Sequence, residues 1–414
     1  MQVAAPSLWQ DRAFVTFWAA RVIAQGGSTI AAVVLPILVF QLTGSALQTS
    51  LLATLEVLPY FAFGLVAGAL ADRFNRRRLM VGCTLLQAVL VGSIPLAAAF
   101  DMLSLTQIYA VALLSMTAFV WFDAANFGAL PALAGRERIV EANSAIFGAT
   151  TVVAIIAPAL GGGLAALVGP ANAITLNAVT FVVAAVLLAL IKRSFGDIPP
   201  APPGDAPLRR VWADIRDGLA FVWRQPLVRS MTIVGFGNSL SGGAVIGLLV
   251  VYAVRALGLG QTDGRIGLLY TASAVGGLAA SLLLPPLARR LPVGWITLTG
   301  LVAHLAALVG IALAPGLSVG IAMLGVWQLA NSLVIINGIA ARQRVTPDHL
   351  QARVNMTARM LAWGGQPFGA ALGGLLADLL DIRLALLIMA SGVALSAWYG
   401  LRSPLRQRDL GGSG

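Results

Sequence analysis

Long charge-free stretches alternate with short charged segments along this chain, and that alternation predicts its elements. Residues 79–100 carry no charge between Arg78 and Asp101, a length that crosses a bilayer once as a helix. Residues 142–191 are charge-free over about twice that length, and Gly169-Pro170 predicts a turn between two crossings. Residues 291–341 repeat the pattern, with the turn at Ala314-Pro315-Gly316. Further apolar runs predict helices over 13–42, 46–70, 105–133, 228–254, 264–288, 355–380 and 384–401. The sum is twelve crossings, an all-α membrane protein with both termini on one side. Within the first helix, Gly26-Gly27 is expected to break the helix.

Residues 192–225 interrupt the pattern. Asp197 to Gly204 is a Pro-rich linker without core-forming residues. After it, Leu208, Val211, Trp212, Ile215, Leu219 and Val222 recur at helical spacing, with Arg209, Arg210, Asp214, Arg216 and Asp217 on the other side. That is an amphipathic helix, either lying on the membrane surface or docked on the bundle. The organisation expected is a six-helix bundle over 1–191, a cytoplasmic linker with this helix over 192–225, and a second six-helix bundle with a short cytoplasmic tail over 226–414.

Composition supports this reading. Of 414 residues, 58% are hydrophobic and 10% charged, against about a quarter charged in soluble domains. The net charge of +11 invites a nucleic-acid reading, but the arginines are scattered over short loops between apolar spans. With the N-terminus inside, all but Arg21, Arg255, Arg265 and Arg383 of the 27 Lys and Arg fall on cytoplasmic segments, which is the positive-inside pattern. The single cysteine, Cys83, excludes an intramolecular disulfide. No signal peptide is recognisable, so the first helix is expected to serve as an uncleaved targeting signal. There is no Walker loop, no H-E-x-x-H and no Cys/His cluster, so no metal, cofactor or enzymatic chemistry is expected.

The two halves are related. Asn143, Ala159, Leu160, Gly161, Gly162, Leu164 and Ala165 recur as Asn355, Ala371, Leu372, Gly373, Gly374, Leu376 and Ala377, at a constant offset of 212. Parallel repeats of six helices are a transporter architecture.

The charged loop after the second helix, Gly68-Ala69-Leu70-Ala71-Asp72-Arg73-Phe74-Asn75-Arg76-Arg77-Arg78, resembles the signature G-x-L-x-D-R-x-G-R-R/K of the major facilitator superfamily. Gly68, Leu70, Asp72, Arg73, Arg76 and Arg77 match it. Asn75 replaces the usual glycine, a mild departure because Asn tolerates left-handed backbone. Alternatively, the arginines are only a topology signal. The resemblance implies twelve transmembrane helices in two parallel-repeat bundles, a cavity lined by helices 1, 4, 7 and 10, and a gating role for this loop. Asp72 would approach the N-terminus of helix 11, and Arg76 would pair with an acid on helix 4, for which Asp123 is the candidate. Ala157-Pro158-Ala159-Leu160-Gly161-Gly162 resembles the antiporter motif G-P-x-x-G-G, which the family links to export; Pro158, Gly161 and Gly162 match. Leu42-Thr43-Gly44-Ser45 and Glu56-Val57-Leu58-Pro59 look like the branch holding macrolide-efflux pumps and siderophore exporters. The embedded arginine of helix 4 found in many drug antiporters is missing, and Arg21 is the candidate substitute.

Three charged residues fall deep inside predicted spans, away from their ends: Arg21, Glu56 and Asp123. Such charges are costly and face a cavity or a partner. Arg21 and Asp123 lie at similar depth, so they form either a cavity ion pair or a static pin between helices 1 and 4. Arg76 competes for Asp123. Glu56, isolated among apolar neighbours, is the candidate proton carrier, with Asp123 next; the alternative is a glutamate bonded to backbone or to Arg21. Gln25, Asn126, Asn238, Trp327 and Asn331 join Arg21 as candidate cavity residues, interhelical bonding being the alternative for each. The expected function is proton-coupled export of small amphipathic compounds by a monomer in a bacterial inner membrane, its partners being substrate, protons and lipid. Uptake, lipid translocation and a non-transporting receptor or scaffold are the other readings.

Overall fold

The computed structural model describes residues 8–71, 74–195, 207–347 and 350–406. Asp72, Arg73, the Pro-rich linker over 196–206 and His349 lie outside the described residues. The described residues form helices and no strands. In chain order the helices are α1 (Arg12–Thr43), α2 (Ala46–Ala71), α3 (Arg76–Ala99), α4 (Leu105–Ala134), α5 (Ile139–Val168), α6 (Pro170–Leu190) and α7 (Pro207–Arg224). They continue as α8 (Pro226–Val251), α9 (Ile266–Ala288), α10 (Val293–Leu313), α11 (Leu317–Val345), α12 (Gln351–Trp363), α13 (Gly365–Leu379) and α14 (Ile382–Arg402). Eleven of these, α8 taken with the π-turn that follows it, are long and apolar enough to cross a membrane, and α12 with α13 complete a twelfth. The described helices thus make up the twelve-crossing, all-α architecture that the charge-free runs predict.

Local chemistry explains the boundaries. Gly169 at φ +81 and Pro170 at the first helical position separate α5 from α6. Ser104 and Asp381 cap α4 and α14 through their side-chain oxygens. Three expectations are corrected. First, α1 is continuous through Gly26-Gly27; Gly27 instead permits a close approach, because a Cβ there would overlap the Asn177 and Thr180 side chains of α6. Second, Asn75 is extended (φ −63, ψ 109), not left-handed, and its side chain accepts from the Arg78 N–H to cap α3. Asn is useful there as a cap, and glycine has no side chain to supply one. Third, the predicted helix 11 is two pieces broken at Gly364. Pro367 has no N–H to donate to the Trp363 carbonyl and its ring crowds that carbonyl, so the helix stops and restarts.

The chain divides into two compact units, one of residues 1–38 with 55–207, the other of residues 39–54 with 208–414. In the first unit, α3 packs on α4 and α6. Its buried cluster includes Phe14, Phe17, Met80, Phe122, Leu133 and Leu188. In the second, α8 packs most extensively on α13. Gly365, Gly369 and Gly373 run along one face of α13, where a Cβ would overlap Phe236, Leu240 and Ala244 of α8 respectively. Such small-residue seams let membrane helices meet backbone to backbone. The described side of α7 docks on α12: Val222 is buried with Val228, Val354 and Ala358, and Asp217 pairs with Arg353 at 3.1 Å. Large apolar side chains face outward, among them Phe127 at 87% and Leu167 at 84% exposure. A water-facing surface would not carry them in such number; a lipid-facing one does.

Candidate functional site

In the first unit, Arg21 of α1 extends toward α4. Its guanidinium lies 5.2 Å from the centre of the Phe122 ring, and Asp123 and Tyr60 are its electrostatic neighbours. Phe119 stacks with Phe122 and meets Tyr60 edge to face, so α1, α2 and α4 converge on one polar and aromatic cluster. Arg21 thus meets Phe122 through a cation–π contact and lies within the field of Asp123, but among the described residues no ion pair joins Arg21 to Asp123. Asn126, one turn along α4, has a buried Oδ1 with no hydrogen-bond partner. Gln25 is occupied within its own helix, bonding Thr29 at 3.2 Å. Glu56 lies one turn before Tyr60 on α2 and is half-buried. Among the described residues, no hydrogen bond or ion pair engages its carboxylate, neither with backbone nor with Arg21.

The charged loop is described in part. Gly68 lies near the end of α2. Arg76 reaches α4 through a carbonyl: its guanidinium packs over Gly128 and donates to the carbonyls of Gly128 at 3.5 Å and Phe195 at 3.4 Å. Arg77 donates to the carbonyl of Ala189. Gly128 makes room for Arg76, because a Cβ there would fall 2.5 Å from the guanidinium carbon. In the antiporter-like motif, Pro158, Gly161 and Gly162 are buried, and Gly161 faces the Ile30 backbone of α1.

In the second unit, Asn238 (α8), His304 (α10), and Trp327 and Asn331 (α11) form one hydrogen-bonded network. His304 Nδ1 lies 2.8 Å from Asn238 Oδ1, and Trp327 Nε1 donates to His304 Nε2 at 2.9 Å. An indole can only donate, so Nε2 accepts and the proton of the neutral ring sits on Nδ1, facing Asn238. Asn238 donates in turn to Asn331 Oδ1 at 2.7 Å. Asn238 and His304 are fully buried and Trp327 is 1% exposed. Asn238, Trp327 and Asn331, expected either to line a cavity or to bond helices together, here bond α8, α10 and α11 to one another through a histidine that the apolar text around it did not single out.

A second cluster was not foreseen. Gly44 ends α1 at φ +62, and the chain turns directly into α2. Asp378, near the end of α13, caps α2: its carboxylate accepts from Ser45 Oγ at 2.6 Å, Ala46 N at 2.8 Å and Leu47 N at 3.0 Å. Arg255 donates to Asp378 at 3.1 Å and to the Gly44 carbonyl at 2.7 Å. Further along, Thr54 donates to the Pro367 carbonyl, and Gly374 lies against Ala46, Leu47 and Ser50. The start of α2 thus lies along α13, held at its tip by a charged latch.

Charged groups embedded in spans, a repeated bundle and a polar latch at helix ends are the furniture of a secondary transporter. Residues 17–365 match the Major Facilitator Superfamily, and the chain belongs to that family. It is a multi-pass membrane transporter. It is 27% identical to the multidrug efflux pump Tap of Mycolicibacterium fortuitum over 395 residues, 94% of this chain and 95% of that protein. It is 28% identical to the enterobactin exporter EntS of Citrobacter koseri over 368 residues, 88% of this chain and 85% of that one. In fold it is similar to a bacterial homologue of the human lysosomal transporter Spinster, at TM-score 0.78 and 14% identity, covering 99% of this chain and 100% of that chain.

Proposed function

We propose that the chain is an exporter of small amphipathic organic compounds, driven by protons through alternating access. The observation that carries the export reading is the near full-length likeness to both a multidrug efflux pump and a siderophore exporter. The antiporter-like motif supports it. The proposed arrangement is two six-helix bundles, 1–191 and 226–414, joined by the segment 192–225, with both termini on the cytoplasmic side of a bacterial inner membrane. Charge bias supports that orientation.

Glu56 is the proposed proton carrier. Its carboxylate is unengaged among the described residues, and charge inside a bilayer is costly. Proton binding from one compartment and release to the other therefore favours different arrangements of the helices around it. One pH unit across the membrane supplies about 1.4 kcal/mol per proton, and 100 mV adds about 2.3 kcal/mol. Together they bias a two-state equilibrium by several hundredfold. Arg21, Asp123 and Asn126 line the proposed path, with Arg21 held over Phe122 so that it can meet substrate. The start of α2 undocks from α13 as the outer side opens, and the loop holding Asp72 and Arg73 is the proposed inner counterpart.

Proteoliposomes loaded with a fluorescent cationic dye, with an imposed pH difference, test the scheme. Wild type is expected to concentrate dye against its gradient. Glu56→Gln keeps size and hydrogen bonding but fixes the neutral form; it is expected to bind and exchange dye without concentrating it. Accumulation by Glu56→Gln at the wild-type rate would place coupling elsewhere.

A further inference from the structure

A narrow, partly open cleft of about 40 Å³ lies among α8, α11 and α12 within the second unit. On that measure one water takes about 10–15 Å³, so the cleft has room for a head group and not for a whole ligand. Its walls are mostly apolar, with Val234, Ile335 and Ile339 on the walls and Trp363 at one edge. Its polar groups are chiefly two arginines. Arg342, at the end of α11, is 5% exposed. One of its nitrogens donates to Asn355 Oδ1 at 2.9 Å, while its Nε–H is buried with no hydrogen-bond partner. Arg359 of α12 stacks on Trp363, its guanidinium carbon 4.2 Å from the ring centre. Stacking uses the face of a guanidinium and leaves its in-plane donors for another partner. The two charges are near enough to repel each other. Among the described residues neither meets a carboxylate, and Asp217 on the adjoining α7 is taken by Arg353.

A buried guanidinium with an unused donor, beside a second cation of the same sign, is costly unless an anion completes it. An oxyanion does so: carboxylate and phosphate both match the planar N–H fork, a carboxylate offsetting one of the two charges and a dianionic phosphate both. A hydrocarbon or aromatic body attached to it would extend out through the open side of the cleft, past the apolar walls.

We propose that Arg342, Arg359 and this pocket form a binding site for the oxyanion head group, carboxylate or phosphate, of an amphipathic molecule. In the orientation proposed above, the site is on the cytoplasmic side. Two sources carry that chemistry there: an anionic lipid of the inner leaflet, or an anionic cargo entering for export. The proposal rests on the export reading only for the second source. Equilibrium binding requires no turnover, so a failure here and a failure of transport are separate results.

The test uses the purified full chain in phosphatidylcholine nanodiscs and radiolabelled dodecyl phosphate. Wild type is expected to bind it saturably, without competition from dodecyltrimethylammonium. Arg342→Gln is expected to weaken binding at least tenfold, about 1.4 kcal/mol. Arg359→Gln, on the exposed side of the pocket, is expected to weaken it several-fold and guards against a folding defect in the first variant. Equal competition by the cation, or wild-type affinity in both variants, overturns the proposal. Changing the nanodisc lipid to phosphatidylglycerol separates the sources. Competition by that lipid assigns the site to the membrane, and retained affinity assigns it to cargo; both keep the oxyanion site.

Discussion

Asp378→Asn removes one charge from the latch at the tip of α2 and leaves shape almost unchanged. In the wild type, Oδ1 serves Ala46 N and Arg255, while Oδ2 serves Ser45 Oγ and Leu47 N. An amide has one acceptor oxygen, so whichever way the substituted side chain turned, two of these four donors would face an NH2 group. The lost charge at the helix N-terminus is worth about 0.3–1 kcal/mol, up to ~2 where partly buried. Arg255 and Asp378 are 33% and 26% exposed, so their pairing is partly screened and adds about 0.2–1 kcal/mol. The sum, about 0.5–3 kcal/mol, is a factor of about 2–150 in the equilibrium between docked and undocked α2. Ser50 reports it: it is fully buried under Gly374, and Cys83 is the only native cysteine. With Ser50→Cys in a Cys83→Ala background, a membrane-impermeant maleimide added outside reacts only when α2 lifts. If reclosure outpaces reaction, the rate follows the open population. Asp378→Asn is expected to speed labelling about 2- to 150-fold without lowering the unfolding midpoint by more than a few degrees. An Arg255→Gln double-mutant cycle should show coupling between the pair. Labelling at the parent's rate in Asp378→Asn would refute the latch.

Gly369→Ala is expected to lower the unfolding midpoint of the purified protein, at a cost of about 1–3 kcal/mol. The new Cβ would overlap the Leu240 carbonyl, a backbone atom that cannot swing aside, whereas Gly148→Ala meets open space and should change little. Asp11 caps α1 through the Ala13 and Phe14 N–H groups and pairs with Arg193. Burial pushes its carboxyl up, but Arg193 and the two N–H groups outweigh that and hold it below the ordinary carboxylate value. A depressed folded value gives stability that is present above the unfolded value, near 3.9, and is lost as pH falls through the folded one. Asp11→Asn should therefore melt lower than wild type at neutral pH, and the two melting curves should converge below about pH 3.9; a constant gap down to lower pH would contradict this.

Helix number and most boundaries were legible in the chain text because a membrane span needs little beyond about twenty residues without charge, and because Gly169-Pro170 and Ala314-Pro315-Gly316 mark turns by local backbone chemistry alone. The repeat at Asn143 and Asn355 and the loop from Gly68 to Arg78 were equally visible, since both are patterns in one dimension. The similar depth of Arg21 and Asp123 was legible from their places along the chain, but the ring that Arg21 meets, Phe122, was not. Other features depend on what lies across the bundle. Gly27 looked like a helix break, but α6 passing close by makes it a contact point. Pro367 reads as one more membrane proline until its missing donor splits α12 from α13. Arg76 found a carbonyl over Gly128, a partner no residue pattern marks. His304 sits in plain apolar text, and only folding brings Asn238 and Trp327 to its two nitrogens, from 66 and 23 residues away. Asp378 caps a helix that begins 332 residues before it. Periodicity and charge decide where a chain may cross a membrane, because those costs are paid residue by residue against the lipid. Which polar group satisfies which is decided by tertiary packing, because a hydrogen bond depends on distance in space and not on separation along the chain.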